Sequence, residues 1–226
     1  MERLKRTEII MGEDGLAGLR NSKVLIIGLG GVGSFAAEAI ARSGIGNITV
    51  MDGDVIDVTN INRQLIAYQN NIGTKKASAM ENRIKEISEE IKVTGICDFY
   101  NKDFEIDLKE YDYVIDAIDS VEDKLDLIEN CYKNNVKIIS SMGTAGKIRN
   151  DMFQLADISE TSVCPLAKKI RKELKKRDIE HLKVVYSKEK ALTQNGILGS
   201  MSYVPGVAGL IMAGEVIRDL GGLKIV

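Results

Sequence analysis

Gly28-Leu29-Gly30-Gly31-Val32-Gly33 follows the apolar run Val24-Leu25-Ile26-Ile27 and opens a stretch of helical period from about Val32 to Ser43. A glycine-rich turn in that context constrains a chain, because it fits a strand–turn–helix unit whose helix N-terminus can receive an anion, although strand–helix turns also use glycine for geometry alone and a second element is needed to decide. The glycines permit the tight turn and let the backbone approach a phosphate. The small residues Ala36, Ala37, Ala39 and Ala41 let the helix lie close to its sheet.

The same alternation of short β-branched runs and helical segments continues downstream. Strands are predicted at Asn47 to Met51, Val93 to Cys97, Tyr113 to Asp116 and Lys137 to Ser141, with helices over Lys76 to Ile87 and Asp123 to Asn134. Strands built of consecutive apolar residues belong in a parallel sheet covered on both faces. The expectation is therefore an α/β fold, a Rossmann-like sheet of mostly parallel strands covered by helices. Residues 1–226 read as a single domain, with a nucleotide-binding core over about 20–150 and a C-terminal elaboration over about 151–226. Within the elaboration, Phe153 to Ile158 is strand-like. Ser187 to Gly196 has no apolar period and is expected to be a mobile loop.

Composition narrows the chemistry. The chain has 226 residues, a net charge of -2, one histidine and three cysteines. One histidine, His181, rules out a multi-histidine metal site within one chain and reads as a strand-edge residue. Cys97, Cys131 and Cys164 lie far apart without a C-x-x-C pair, so neither zinc nor a disulfide framework is expected, and the chain reads as reduced and cytoplasmic. Core packing accounts for Cys97 and Cys131. The first residues lack the apolar run of a secretory signal. The most apolar stretch, Ile197 to Ile217, holds Pro205, Glu215 and several glycines, which suits a buried C-terminal helix and not a membrane span.

Asp52 ends the second predicted strand nineteen residues beyond Gly33, where a nucleotide fold places the carboxylate that accepts ribose hydroxyls. Asp54, then Asn60-Ile61-Asn62-Arg63-Gln64, then Lys75-Lys76 follow, so acids, an arginine and a lysine pair gather beside the glycine loop. NAD and ATP share an adenosine and phosphates. Cations beside the phosphates favour ATP, since they stabilise charge that builds when an α-phosphate is attacked and pyrophosphate leaves. Asp116 and Asp119 lie where the fourth strand ends, at the sheet edge where ligands of open α/β folds bind. Asp119, beyond the strand, is the better candidate for holding Mg²⁺, and Asp116 suits a hydrogen bond to the adjacent loop.

Taken together, G-x-G-G-x-G at Gly28 to Gly33, D-x-D at Asp52 to Asp54, N-x-N-R-Q at Asn60 to Gln64, Lys76, and D-x-x-D at Asp116 to Asp119 resemble the adenylating ThiF/MoeB/ubiquitin-activating superfamily. The resemblance implies that Gly28, Gly30, Gly31, Gly33, Asp52, Asp54 and Asn60 bind ATP, that Arg63 and Lys76 meet its phosphates, and that Asp119 holds magnesium. It also implies that Arg6 is lent to the site of a partner subunit, making the active unit a homodimer. Thr161 to Ala167, Lys183 to Ser187 and Gly199 to Pro205 look like the TcdA (CsdL) branch. Members of that branch are tRNA threonylcarbamoyladenosine dehydratases, which close the threonylcarbamoyl side chain of a modified adenosine into a ring. A cysteine desulfurase or sulfur acceptor is a further partner that this branch suggests.

A tRNA partner gives a role to Lys168, Lys169, Arg171, Lys172, Lys175, Lys176 and Arg177, seven cations on one predicted helix whose narrow apolar face is Ile170 and Leu174. Cys164 could serve in a thioester step, although buried cysteine is the commoner state. Two other readings stay open. One is an adenylating activator of a ubiquitin-like or sulfur-carrier protein, which the missing C-x-x-C pairs disfavour. The other is an NAD-binding or regulatory nucleotide-binding protein, which Arg63, Lys76 and Asp119 disfavour.

Overall fold

A computed structural model describes residues 2–223. After the helix α1 (Lys5–Asn21) comes β1 (Lys23–Ile27), whose last four residues are buried. Then follow α2 (Gly33–Ser43), β2 (Asn47–Met51), α3 (Lys76–Ile87), β3 (Lys92–Ile96), β4 (Tyr113–Asp116), α4 (Val121–Lys133) and β5 (Lys137–Ser141). The C-terminal part adds β6 (Phe153–Asp157), α5 (Pro165–Lys175), β7 (Lys183–Ser187), a small hairpin of β8 (Thr193–Gln194) and β9 (Ile197–Leu198), and α6 (Tyr203–Leu220).

Seven strands form one sheet in the order β3-β2-β1-β4-β5-β7-β6. All pairings are parallel except β6 with β7. From β1 the chain goes first to β2 on one side and later to β4 on the other. That reversal opens a crevice beyond the carboxyl ends of β1 and β4, where open α/β sheets bind ligands.

Helix α6 covers the sheet beside α2. Gly209 lies directly against the Val32 carbonyl and Ala36, so the two helices approach at backbone distance. Met212 and Val216, both fully buried, contribute on the order of 2 kcal/mol each by leaving water. The far end of α6 is held polar-side by Lys183, whose ammonium donates to Glu215 at 2.6 Å and Asp219 at 2.7 Å, and by Tyr113, whose hydroxyl donates to Asp219 at 3.0 Å. Burial favours the uncharged form of Asp219, but the hydrogen bonds from Lys183 and Tyr113 outweigh it and bring the carboxyl below its usual range.

Three sequence expectations need correction. The N-terminal segment, given no element, is the helix α1, kinked at Gly12. Its Gly15 and Gly18 rest against the Gly221 and Leu220 carbonyls at the end of α6, so packing stabilises a stretch with poor helical propensity. The segment 187–196, expected to be a mobile loop without pattern, holds β8 and the turn at Asn195 (φ 52°) and Gly196 (φ 78°), the left-handed pair of a two-residue turn that leads into β9 just beyond it. Cys97 is exposed against Ser78 instead of packing in the core, whereas Cys131 and Cys164 are buried. Burial, with Asp116 adding to it, pushes the Cys131 thiol up to about 12. Among the described residues no helix is long and apolar enough to cross a membrane.

Candidate active site

A cleft of about 710 Å³ lies at the carboxyl ends of β1, β2 and β4. The glycine loop forms its base. Gly28 has φ +88°, and a Cβ there would meet the Ala117 carbonyl at 2.6 Å, so the turn must be glycine. A Cβ at Gly33 would collide with the Gly28 carbonyl oxygen, so that glycine lets α2 start hard against the turn. Gly30 differs. A Cβ on it would meet nothing closer than Gln64 Nε2 at 3.9 Å, leaving its face open toward the cleft.

On the β2 side, Asp52 is buried and accepts from the Leu29 N–H at 2.7 Å through Oδ2 and from the Asp54 N–H at 2.9 Å through Oδ1. It therefore ties the glycine loop to the end of β2, and each oxygen keeps a lone pair for a further donor. Lys76, buried at the start of α3, donates to Asp54 at 2.7 Å and lies 4.0 Å from Asp52. Arg63 uses Nη1 on the Thr59 carbonyl (2.8 Å) and Asn62 Oδ1 (3.0 Å), which leaves its other nitrogens without a protein partner among the described residues. Asn60 is buried and accepts from the Asp57 N–H, pinning the turn that carries Arg63.

On the β4 side the two aspartates of D-x-x-D separate. Asp116 is fully buried and paired with Lys124, so it does not face the cleft. Its Oδ1 accepts from the Ile118 N–H at 3.0 Å. Asp119 is exposed and lines the cleft. Asp123, in the first turn of α4, lines it as well. Carboxylate oxygens suit Mg²⁺. Among the described residues no three His, Cys, Asp or Glu side chains are placed to hold a metal by themselves, so a cation beside Asp119 and Asp123 would complete its shell with water and phosphate oxygens.

Gly28, Gly30, Gly31, Asp52, Asp54, Asn60, Arg63, Lys76 and Asp119 thus share one cleft, with Gly33 just behind the loop. Arg6 does not line it. It is exposed in the first turn of α1. The cationic segment departs from its expected outward display. Arg171 turns in to the Thr161 carbonyl (3.0 Å), the Thr161 hydroxyl (2.5 Å) and the Ile158 carbonyl (3.2 Å). Arg177 pairs with Glu129 at 3.0 Å and with Glu173, and Lys176 pairs with Glu173 at 2.7 Å. Lys168, Lys169, Lys172 and Lys175 are exposed and have no carboxylate partner among the described residues.

Four features were missed in the sequence. Gln64, buried at the cleft, has an Oε1 with no partner among the described residues, an acceptor available to a ligand donor. Its place in N-x-N-R-Q was the available signal. Phe99, 55% exposed, lays its ring against Gly53, next to Asp52. Burial, reinforced by Asp126, raises the Tyr100 hydroxyl far above the phenol range, so it remains a donor to Asp126 (2.9 Å) at the same wall. Finally, Leu198, Gly199, Ser200 and Pro205 close the cleft from the C-terminal part, held by Asn62 Nδ2 donating to the Ser200 carbonyl at 3.1 Å and by the Gly146 N–H donating to the Gly199 carbonyl at 2.7 Å.

The model of the ThiF family matches residues 3–225. The tRNA threonylcarbamoyladenosine dehydratase of Bacillus subtilis (strain 168) is 39% identical over 241 aligned positions, covering 97% of this chain and 95% of that protein. The crystal structure of the E. coli tRNA N6-threonylcarbamoyladenosine dehydratase, TcdA, in complex with AMP superposes with a TM-score of 0.91 at 34% identity, covering 98% of this chain and 95% of that one. The complex of the same E. coli protein with ATP gives a TM-score of 0.90 at 34% identity, covering 98% and 94%. The chain belongs to the ThiF family, on the branch that holds the tRNA threonylcarbamoyladenosine dehydratases.

Proposed function

We propose that this chain is an ATP-dependent tRNA threonylcarbamoyladenosine dehydratase and that residues 1–226 act as one adenylating unit. The observation that carries the reading is that likeness to the dehydratases runs through the C-terminal part, the part that supplies Leu198 to Ser200 and Pro205 to the cleft. The adenosine of ATP lies with its ribose at Asp52 and its base on the Phe99 ring. The triphosphate runs over the glycine loop toward Arg63 and Lys76.

A carboxylate oxygen of the threonylcarbamoyl side chain attacks the α-phosphorus, the bond to pyrophosphate breaks, and pyrophosphate departs with the electron pair. Arg63, Lys76 and the loop N–H groups stabilise the charge that develops. Asp119 and Asp123 would hold Mg²⁺, which when bound neutralises phosphate charge. A nucleophilic atom of the same side chain then attacks the activated carbonyl and gives its proton to solvent, and the acyl–oxygen bond breaks so that AMP leaves with the former carboxylate oxygen. Proximity drives this closure, so no enzyme cysteine or histidine is needed. The nucleoside has lost one water.

Lys168, Lys169, Lys172 and Lys175 meet tRNA phosphates, and Arg171, Lys176 and Arg177 support the helix that presents them. Arg6, outside the cleft of its own chain, serves the cleft of a second copy in a homodimer. A cysteine desulfurase or sulfur acceptor is the further partner, and the cytoplasm is the compartment. The test is AMP and pyrophosphate release from ATP with tRNA that does or does not carry threonylcarbamoyladenosine. Release confined to the modified tRNA supports the reading. Equal release with both tRNAs, or none with either, overturns it.

A further inference from the structure

Lys124 and Asp116 are each fully buried and face one another beneath the cleft, with Nζ 2.8 Å from Oδ2. The Ser140 hydroxyl on the neighbouring strand also bonds Asp116 and lies 3.3 Å from the Lys124 ammonium. The elements that carry them also bury apolar side chains, Val114 on β4 and Leu127 and Cys131 on α4. Removing two charges from water is costly, and a well-packed apolar pair in such a place is often as stable or more so. Stability alone is therefore a poor reason for an ion pair here.

Its position supplies a better one. Asp116 ends β4 and Lys124 sits at the start of α4, so the pair brackets the connection 117–120. The second oxygen of Asp116 accepts from the Ile118 N–H at 3.0 Å inside that connection. The Ala117 carbonyl abuts Gly28 of the glycine loop, and Asp119 lines the cleft two residues later. The Asp116 side chain, together with the Ala117 N–H that donates to the Ile27 carbonyl at 2.9 Å, sets how the connection leaves the sheet toward Asp119.

We propose that Lys124 is a positioning residue: by clamping Asp116 it holds the 117–120 connection, and with it Asp119, at the distance that adenylation requires. The proposal rests on the reading of the cleft as an adenylating site.

The full chain carrying Lys124→Met, and the full chain carrying Asp116→Asn with Lys124→Met, in which the asparagine Oδ1 still accepts from the Ile118 N–H, are compared with the parent. Thermal unfolding is measured first, because the single variant leaves a buried unpaired carboxylate that opposes folding, whereas the double variant leaves no buried charge. Binding of a fluorescent ATP analogue is then titrated without tRNA, with and without Mg²⁺. For the folded double variant, the Mg²⁺ concentration at half-saturation is expected to rise about tenfold, while binding without Mg²⁺ stays within about threefold of the parent. A parent-like Mg²⁺ requirement in the double variant overturns the proposal. So does failure of the double variant to fold, since the pair would then be a folding requirement. If the unaltered chain binds no ATP analogue, the adenylating reading falls and this proposal falls with it; a parent that binds normally beside an unaffected double variant sinks the Lys124 role alone.

Discussion

The Lys76 ammonium lies 2.7 Å from the Asp54 carboxylate and 4.0 Å from that of Asp52, so the cation sits at the cleft already paired on its protein side. Its burial with two carboxylates holds the side chain in one place, and a phosphate entering the cleft meets a fixed charge instead of a flexible one. Lys76→Met should lower the rate of AMP formation by about 10² to 10³. Asp54→Asn leaves the amine in place and should cost far less. Initial rates of pyrophosphate release for the two variants check the order, and equal losses would contradict it.

Gly33 and Gly30 belong to one motif but answer to different constraints. Gly33→Ala forces a Cβ into the Gly28 carbonyl and should destabilise the chain by on the order of 3 kcal/mol. Gly30→Ala finds open space on the cleft side. That variant should melt with the parent and yet bind ATP about tenfold more weakly, a difference of about 1.4 kcal/mol. Thermal unfolding and ATP titration of the pair separate the two roles.

How far the site could be read from sequence depends on the kind of residue. The central strands were legible because consecutive buried β-branched residues mark parallel strands, and the strand–glycine–helix spacing located the loop and Asp52. α1 escaped notice because Gly12, Gly15 and Gly18 lower helical propensity, and only contact with the end of α6 offsets that. The hairpin escaped although Asn195-Gly196 is a two-residue turn signal, since its strands are only two residues each. Spacing also could not tell which cations of the segment 168–177 are taken up. Glu129, which binds Arg177, lies 48 residues away in sequence. Phe99 and Leu198 to Ser200 reach the cleft through tertiary packing that no local pattern announces.

The split within α5 makes a testable distinction. Reversing Lys168, Lys169, Lys172 and Lys175 to glutamate should weaken tRNA binding and make it less salt-dependent, the slope falling by roughly one unit for each phosphate left unneutralised, with ATP affinity unchanged. Arg171→Ala should instead lower the unfolding temperature, since it strips the Thr161 carbonyl of its donor and removes one of the donors to the Ile158 carbonyl. Filter binding across a salt series and thermal melts read the two effects. Unaltered tRNA affinity in the quadruple variant would remove α5 from the interface.

Asp219 gives the fold an acid limit. Its folded carboxyl titrates below the ordinary value of 3.8, so the stability it contributes is fully present above that pH and is lost as pH falls through the lower folded value. Asp219→Asn should therefore be less stable than the parent at neutral pH, and the gap should narrow below about pH 4. Denaturant melts at pH 7 and pH 3 measure it, and a gap that stays constant would show that the Lys183 and Tyr113 bonds to Asp219 do not stabilise the fold through its charge.

The central claim is that the cleft activates a carboxylate on a tRNA nucleoside and that the nucleoside closes on itself. Incubating the protein with ATP, Mg²⁺ and tRNA bearing threonylcarbamoyladenosine, then digesting the tRNA and weighing the nucleoside, tests it directly. The expected result is a nucleoside lighter by one water, only when ATP is present. An unchanged nucleoside mass, together with pyrophosphate exchange stimulated by the C-terminus of a carrier protein, would contradict the claim.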